Sequence, residues 1–194
     1  MIHTISYYLT GKIQKEGLIQ PYEFDYYCYG IEITISNFID ITIALLIGLL
    51  FSELPGMLLF LSIFIGLRFF TGGYHAHSYA SCFIVFTITC TMAMILMAKN
   101  LPHVDELVIG LAFLSSPALF FAPVPNTNHP LSEKKTKLFH HLSLFIGACI
   151  LIISATLYLK DYKGICRSIS IALTIVNLFI LIEKRRKNHE ENHS

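Results

Sequence analysis

The side chains able to do covalent chemistry crowd into one short stretch of this 194-residue chain. Residues 68 to 82 read Arg-Phe-Phe-Thr-Gly-Gly-Tyr-His-Ala-His-Ser-Tyr-Ala-Ser-Cys, directly after an apolar run. His75, His77, Ser78, Ser81 and Cys82 fall within eight residues, behind the paired Gly72 and Gly73. A cysteine beside a histidine suggests a thiolate nucleophile and its base. Geometry limits how they can meet. In an unbroken helix a seven-residue step returns to nearly the same face, yet separates the two by about 10 Å along the axis. A proton-transfer contact needs about 3 Å. The stretch must therefore break. Ser78 is a good N-cap for a following helix, which leaves Gly72 to His77 as a loop free to fold back. Cys82 then lies in the first turns of that helix, where the positive helix end and a nearby imidazolium both favour thiolate. His75 is the preferred base and Cys82 the nucleophile. His77, five residues from Cys82, points away on a helix and ranks second. A metal site is disfavoured, because the segment offers alternating histidines and no carboxylate.

Other groups have plainer alternatives. Arg68 suits bidentate capture of a substrate carboxylate, or anchoring of its span at the interface. Gly73 amides suit an oxyanion, or a simple turn. Glu32, Asn37 and Asp40 lie within the first apolar span. A carboxylate at mid-bilayer costs about 2.5–3.5 kcal/mol on an insertion scale, so Glu32 and Asp40 should face protein or water. Glu32 is placed nearer the end where His75 sits and is the candidate to orient it; a structural interhelical hydrogen bond is the alternative. Cys28, Cys90, Cys149 and Cys166 are scattered and form no CxxC pair, so neither a disulfide framework nor structural zinc is expected. Cys90 and Cys149 read as core residues.

The elements that must carry this segment are set by composition. Hydrophobic residues make up 54% of the chain and charged residues only 14%, with mean hydropathy +0.61. Soluble domains carry about 25% charged residues. Disorder and an ordinary soluble enzyme are both disfavoured, and no clustered basic face suggests nucleic acid. The expected fold is all-α and polytopic, with about six transmembrane helices. They run over about Gly30 to Phe51, Pro55 to Phe70, Tyr79 to Ala98, Leu107 to Val124 (interrupted by Pro117), Phe139 to Leu159 and Ile165 to Ile182. A four-span arrangement, with the short second span re-entrant, is the competitor. Before them, residues 1–28 form an amphipathic or interfacial segment. Ile2, Ile5, Leu9 and Ile13 recur at helical spacing, and Gly17 is placed to end that helix. The helix either lies on the membrane or packs on the bundle. Residues 29–183 form the transmembrane domain and 184–194 a short, mobile basic tail.

Six spans put both termini on one side. That side would hold ten Lys and Arg residues, including Arg68, Lys134, Lys135, Lys137 and the run Lys184 to Lys187; the other would hold four, Lys99, Lys160, Lys163 and Arg167. The asymmetry predicts cytoplasmic termini, with the His75–Cys82 segment on the same side.

Arg68, Gly72-Gly73-Tyr74-His75-Ala76, the step to Cys82 and the six-span layout closely resemble the accessory gene regulator B (AgrB) family. Ala122-Pro123 and Asn128-His129-Pro130-Leu131 before the lysines are similar too. The resemblance implies a bacterial cell-membrane cysteine endopeptidase of quorum sensing. It would cleave an AgrD-like propeptide and help convert it to a cyclic thiolactone or lactone. It implies catalytic roles for His75 and Cys82 and required roles for Arg68 and Gly73. No cofactor is expected; the expected partners are the propeptide, membrane lipid and a second copy in a homodimer. The competing functions are a small transporter using His75 and His77 and a non-catalytic membrane scaffold.

Overall fold

A computed structural model describes residues 2–72, 79–98, 103–124 and 132–191. Among the described residues the regular structure is helical, apart from one isolated bridge between Gly72 and Val124. The helices are α1 (Ile2–Lys15), α2 (Phe24–Leu50), α3 (Leu54–Thr71), α4 (Tyr79–Ala98), α5 (Val104–Ser115), α6 (Glu133–Leu159) and α7 (Lys163–Glu191). Six segments, those of α2 to α7, are long and apolar enough to cross a membrane.

The ends of these helices follow from local chemistry. Gly17 closes α1 with φ 74°, while Leu18 N donates to Ile13 O and Gly17 N to Gln14 O. This double bond pattern satisfies the last carbonyls of a helix and needs a left-handed residue, which glycine supplies without strain. Ser52 and Asp161 perform the same turn after α2 and α6, with φ 56° and 65°. Pro117 cannot donate to an α-helical ladder, and α5 passes there into a 3-10 turn over Ser116–Phe121.

Several helices outrun the apolar spans. α2 begins at Phe24, and α6 begins at Glu133 instead of Phe139. The basic stretch after Ile182 continues α7 as helix to Glu191. Hydropathy marks where lipid begins; Lys, Arg and Glu are good helix formers and extend a helix beyond that point.

α1 is both interfacial in pattern and packed. Ser6 and Thr10 are buried against α2, their hydroxyls returned to Ile2 O and Ser6 O. Ile5 and Leu9 remain on the outer side with Tyr7 and Tyr8.

α7 is the central post of the bundle. It packs most extensively on α3 and α5, and also on α6. Its Leu173, Val176 and Ile180 are fully buried, together with Met57, Phe60 and Leu67 of α3 and Met94 of α4. Phe38, Leu50, Phe69, Leu114 and Leu159 are instead exposed on the outside. Lipid is as apolar as such residues, so cohesion between spans rests on close packing and interhelical hydrogen bonds. Gly147 seats Leu119, and Gly48 lets Met57 approach within the space of a Cβ. Ser154 Oγ meets Ser170 Oγ at 2.6 Å, and Asn177 Nδ2 donates to Ser115 Oγ at 3.1 Å.

A buried ion pair lies at the end of the bundle where α4 ends and α5 and α7 begin. Buried Arg167 Nε donates to Asp105 Oδ1 at 2.7 Å, Nη2 to Oδ2 at 3.3 Å and Nη1 to Met97 O at 2.8 Å. Breaking a buried pair leaves a lone charge behind and costs about 3–5 kcal/mol. Asp105→Ala is expected to lower the thermal unfolding midpoint in detergent markedly, and a paired apolar replacement of Asp105 and Arg167 to recover most of it.

Candidate functional site

At the opposite end of the bundle the last turn of α3 meets the first turn of α4 and the last turns of α7. α3 places Phe64 and Arg68 one turn apart on one face. The Arg68 guanidinium lies over two ring faces, 5.5 Å from the centroid of Phe64 and 5.2 Å from that of Phe179 on α7. Such stacking favours a cation that has left water. Arg68 also interacts electrostatically with Cys82 and with Glu183.

Cys82 is the fourth residue of α4. Its thiol is half-buried, whereas Cys28, Cys90 and Cys166 are buried and Cys149 lies on α6. The thiol thus combines partial access, the positive end of a helix and a nearby guanidinium.

The chain is pinned where it leaves α3. Thr71 is fully buried, and Gly72 N closes the helix on Arg68 O at 3.0 Å. Val124 N then donates to Thr71 O at 3.0 Å. Gly72 has φ 65° and ψ −136°, a backbone state suited to glycine alone. A Cβ on Gly72 would meet Val124 O at 2.7 Å. His140 Nδ1 lies 2.6 Å from Ala122 O, and Lys184 sits over the Phe121 ring. Phe69 and Phe70 pack on Phe139 of α6.

The described residues thus bring Arg68, Gly72 and Cys82 to one end of the bundle. Gly73, His75, His77 and Ser78 lie outside the described residues; α4 starts at Tyr79, the residue after Ser78. Glu32 is buried on α2 with its Oε1 3.9 Å from His3 Nε2 of α1. Asp40 is buried deeper in α2 and acts electrostatically on Cys90.

Glu183 is the group that sequence reasoning passed over. It is 5% exposed, and its Oε1 accepts from Arg186 Nη2 at 2.6 Å. It stands just before Lys184-Arg185-Arg186-Lys187 and so reads as part of a solvated basic end. The available signal was its register, one helical turn after Phe179 on the same face.

These features define a polytopic helical membrane protein with a partly accessible thiol at one end of the bundle. The family description accessory gene regulator B matches residues 6–182, and the chain belongs to that family. Membership assigns it a role in accessory gene regulator autoinducer processing. No curated protein and no solved structure matches the chain.

Gly72→Ala forces a side chain into a backbone region that costs about 1–3 kcal/mol. The substitution also meets the Val124 carbonyl. A lower unfolding midpoint in detergent is expected, together with slower processing by the protein that still inserts.

Proposed function

We propose that this chain is a cysteine endopeptidase that cleaves an AgrD-like propeptide and promotes closure of the released segment into a thiolactone or lactone. The observation that carries this reading is the setting of Cys82: partly exposed, in the first turn of α4 and in the field of Arg68.

Cys82 thiolate attacks the scissile carbonyl, and the carbon–nitrogen bond breaks as the leaving amine takes a proton from His75. The product is a thioester on Cys82, with the C-terminal part of the propeptide released. A thiol or hydroxyl within the bound segment then attacks the thioester carbonyl and gives its proton to His75. The ring closes and Cys82 leaves as thiolate. Exchange of one thioester for another costs little free energy, so activation survives from the first bond to the second. A water activated by a metal would hydrolyse the bond and lose that activation. A site at the membrane boundary helps keep water from the intermediate. Gly73 amides are suited to the oxyanion, and Arg68 to a substrate carboxylate or the thiolate. His77 is the alternative base, and Glu32 a candidate orienting carboxylate.

The reading includes a cell-membrane location with the termini and the site on the cytoplasmic side. The propeptide is presented from the lipid surface, and the enzyme works as a homodimer. The lysines at 134, 135 and 137 follow the positive-inside pattern.

Cys82→Ala, co-expressed with an AgrD-type propeptide carrying a C-terminal epitope, should abolish release of the tagged fragment and leave membrane insertion unchanged. Persistent cleavage would overturn the peptidase reading, and tolerance of the loss would favour a transporter or scaffold. In a variant without native cysteines, Lys134→Cys should react with an impermeant thiol reagent only from the cytoplasmic side; labelling from outside would reverse the topology.

A further inference from the structure

At the end of the bundle away from Cys82, α4 ends and α3, α5 and α7 begin around a cavity of about 580 Å³. That is the size of an ordinary small-molecule site. Among the described residues, the charged side chains lining it are Glu53, Asp105, Lys163 and Arg167. Three of them have counter-ions within the chain. Arg167 Nε holds Asp105 Oδ1 at 2.7 Å, and Lys163 Nζ lies 3.1 Å from Asp161 Oδ1. Glu53 is left over. It stands at the N-cap of α3, where a shorter acceptor would bond back to the first turn, and its carboxylate makes no such bond. Nor does it form an ion pair among the described residues. We propose that this cavity is a binding site for a primary ammonium group, with the Glu53 carboxylate as its counter-ion.

Charge, space and lining carry the assignment. The two matched pairs leave the cavity with one negative charge in excess, so a positively charged occupant is the complementary one. Gly56 leaves room beside the carboxylate. A Cβ there would stand 3.6 Å from Glu53 Oε2 and 3.3 Å from both Met97 Sδ and Ser168 Oγ. Among the described residues no aromatic ring lines the cavity, and rings are what recognise a quaternary ammonium. A carboxylate instead accepts hydrogen bonds, which a primary ammonium donates and a quaternary one cannot. A divalent metal ion is poorly served. Asp105 is taken by Arg167, and no three His, Cys, Asp or Glu side chains gather among the described residues. The cavity lies at the ends of apolar spans, the level of lipid headgroups. The ammonium group therefore has two available carriers, an aminophospholipid and a small soluble amine.

The test is the thermal unfolding midpoint of the purified protein in detergent, titrated with two matched pairs: phosphatidylethanolamine against phosphatidylcholine, and ethanolamine against choline. A ligand held by the folded state raises the midpoint with its concentration. In at least one pair the primary amine should act at about a tenfold lower concentration than its quaternary counterpart. Preference in the lipid pair alone names a headgroup as the carrier; preference in the soluble pair names a free amine. Glu53→Gln, which keeps the shape and removes the charge, should weaken the preferred response about tenfold. Gly56→Leu, which fills the space and keeps Glu53, should abolish it. No preference in either pair, or a parental response in Glu53→Gln, overturns the proposal. Should one variant fail to fold, the other decides: a parental response in it overturns the site, and a lost response supports it. The readout needs no peptidase activity, so the result stands apart from the reading of Cys82.

Discussion

Arg68 carries a positive charge into a bundle end built largely from phenylalanine, and a charge taken from water must be met by ring faces, hydrogen bonds or opposite charge. Phe64 and Phe179 meet it from two helices, and Glu183 and Cys82 act on it electrostatically. Much of the local architecture follows from that requirement. α3 and α7 must lie side by side in a fixed register, or the rings would miss the guanidinium. α4 must start close to the end of α3, or its fourth residue would stand outside the same field. The clasp of Thr71 and Gly72 on Val124 fixes where the chain leaves α3.

The remaining helices provide the frame for that register. Between spans the driving force is not burial from water, since lipid receives Leu and Phe as readily as a protein core does. Small residues and hydroxyls therefore mark the contacts that matter. Gly147 under Leu119, Ser154 against Ser170 and Asn177 against Ser115 all sit at helix interfaces. α7 contributes to most of them, which explains why it is the most interior of the spans.

The spans were legible because lipid imposes a simple rule on composition. Tyr79 to Ala98 is a helix with the boundaries its apolar run suggests, and Pro117 marks the change of helix type within the fourth span. Gly17 was legible as a helix stop because its role depends on backbone freedom alone. The extra turns of α6 and α7 were not, since polarity marks the membrane edge and not the helix end. At the site, Cys82 and Arg68 stood out by residue type in an unusual place. Glu183 did not, because four cations adjoin it and it reads as part of a solvated basic end. No local pattern reports that α3 and α7 are neighbours. Glu32 drew notice as a carboxylate in an apolar run, yet such a position says only that a partner must exist, and the contact seen is with His3.

α7 is anchored at both extremities, by Arg167 to Asp105 at one and by Phe179 beneath the Arg68 guanidinium at the other. Twelve residues separate the anchors, or about 18 Å of helix. That length lies well within the hydrocarbon thickness of a typical bilayer, about 30 Å. The helix is thus a ruler with fixed marks, unable to slide lengthwise when the surrounding lipid grows thinner or thicker. Mismatch must be absorbed by tilting the whole bundle or deforming the bilayer around it. Acyl-chain length then becomes a variable that alters how the bundle sits in the membrane while the spacing between its two charged ends stays constant.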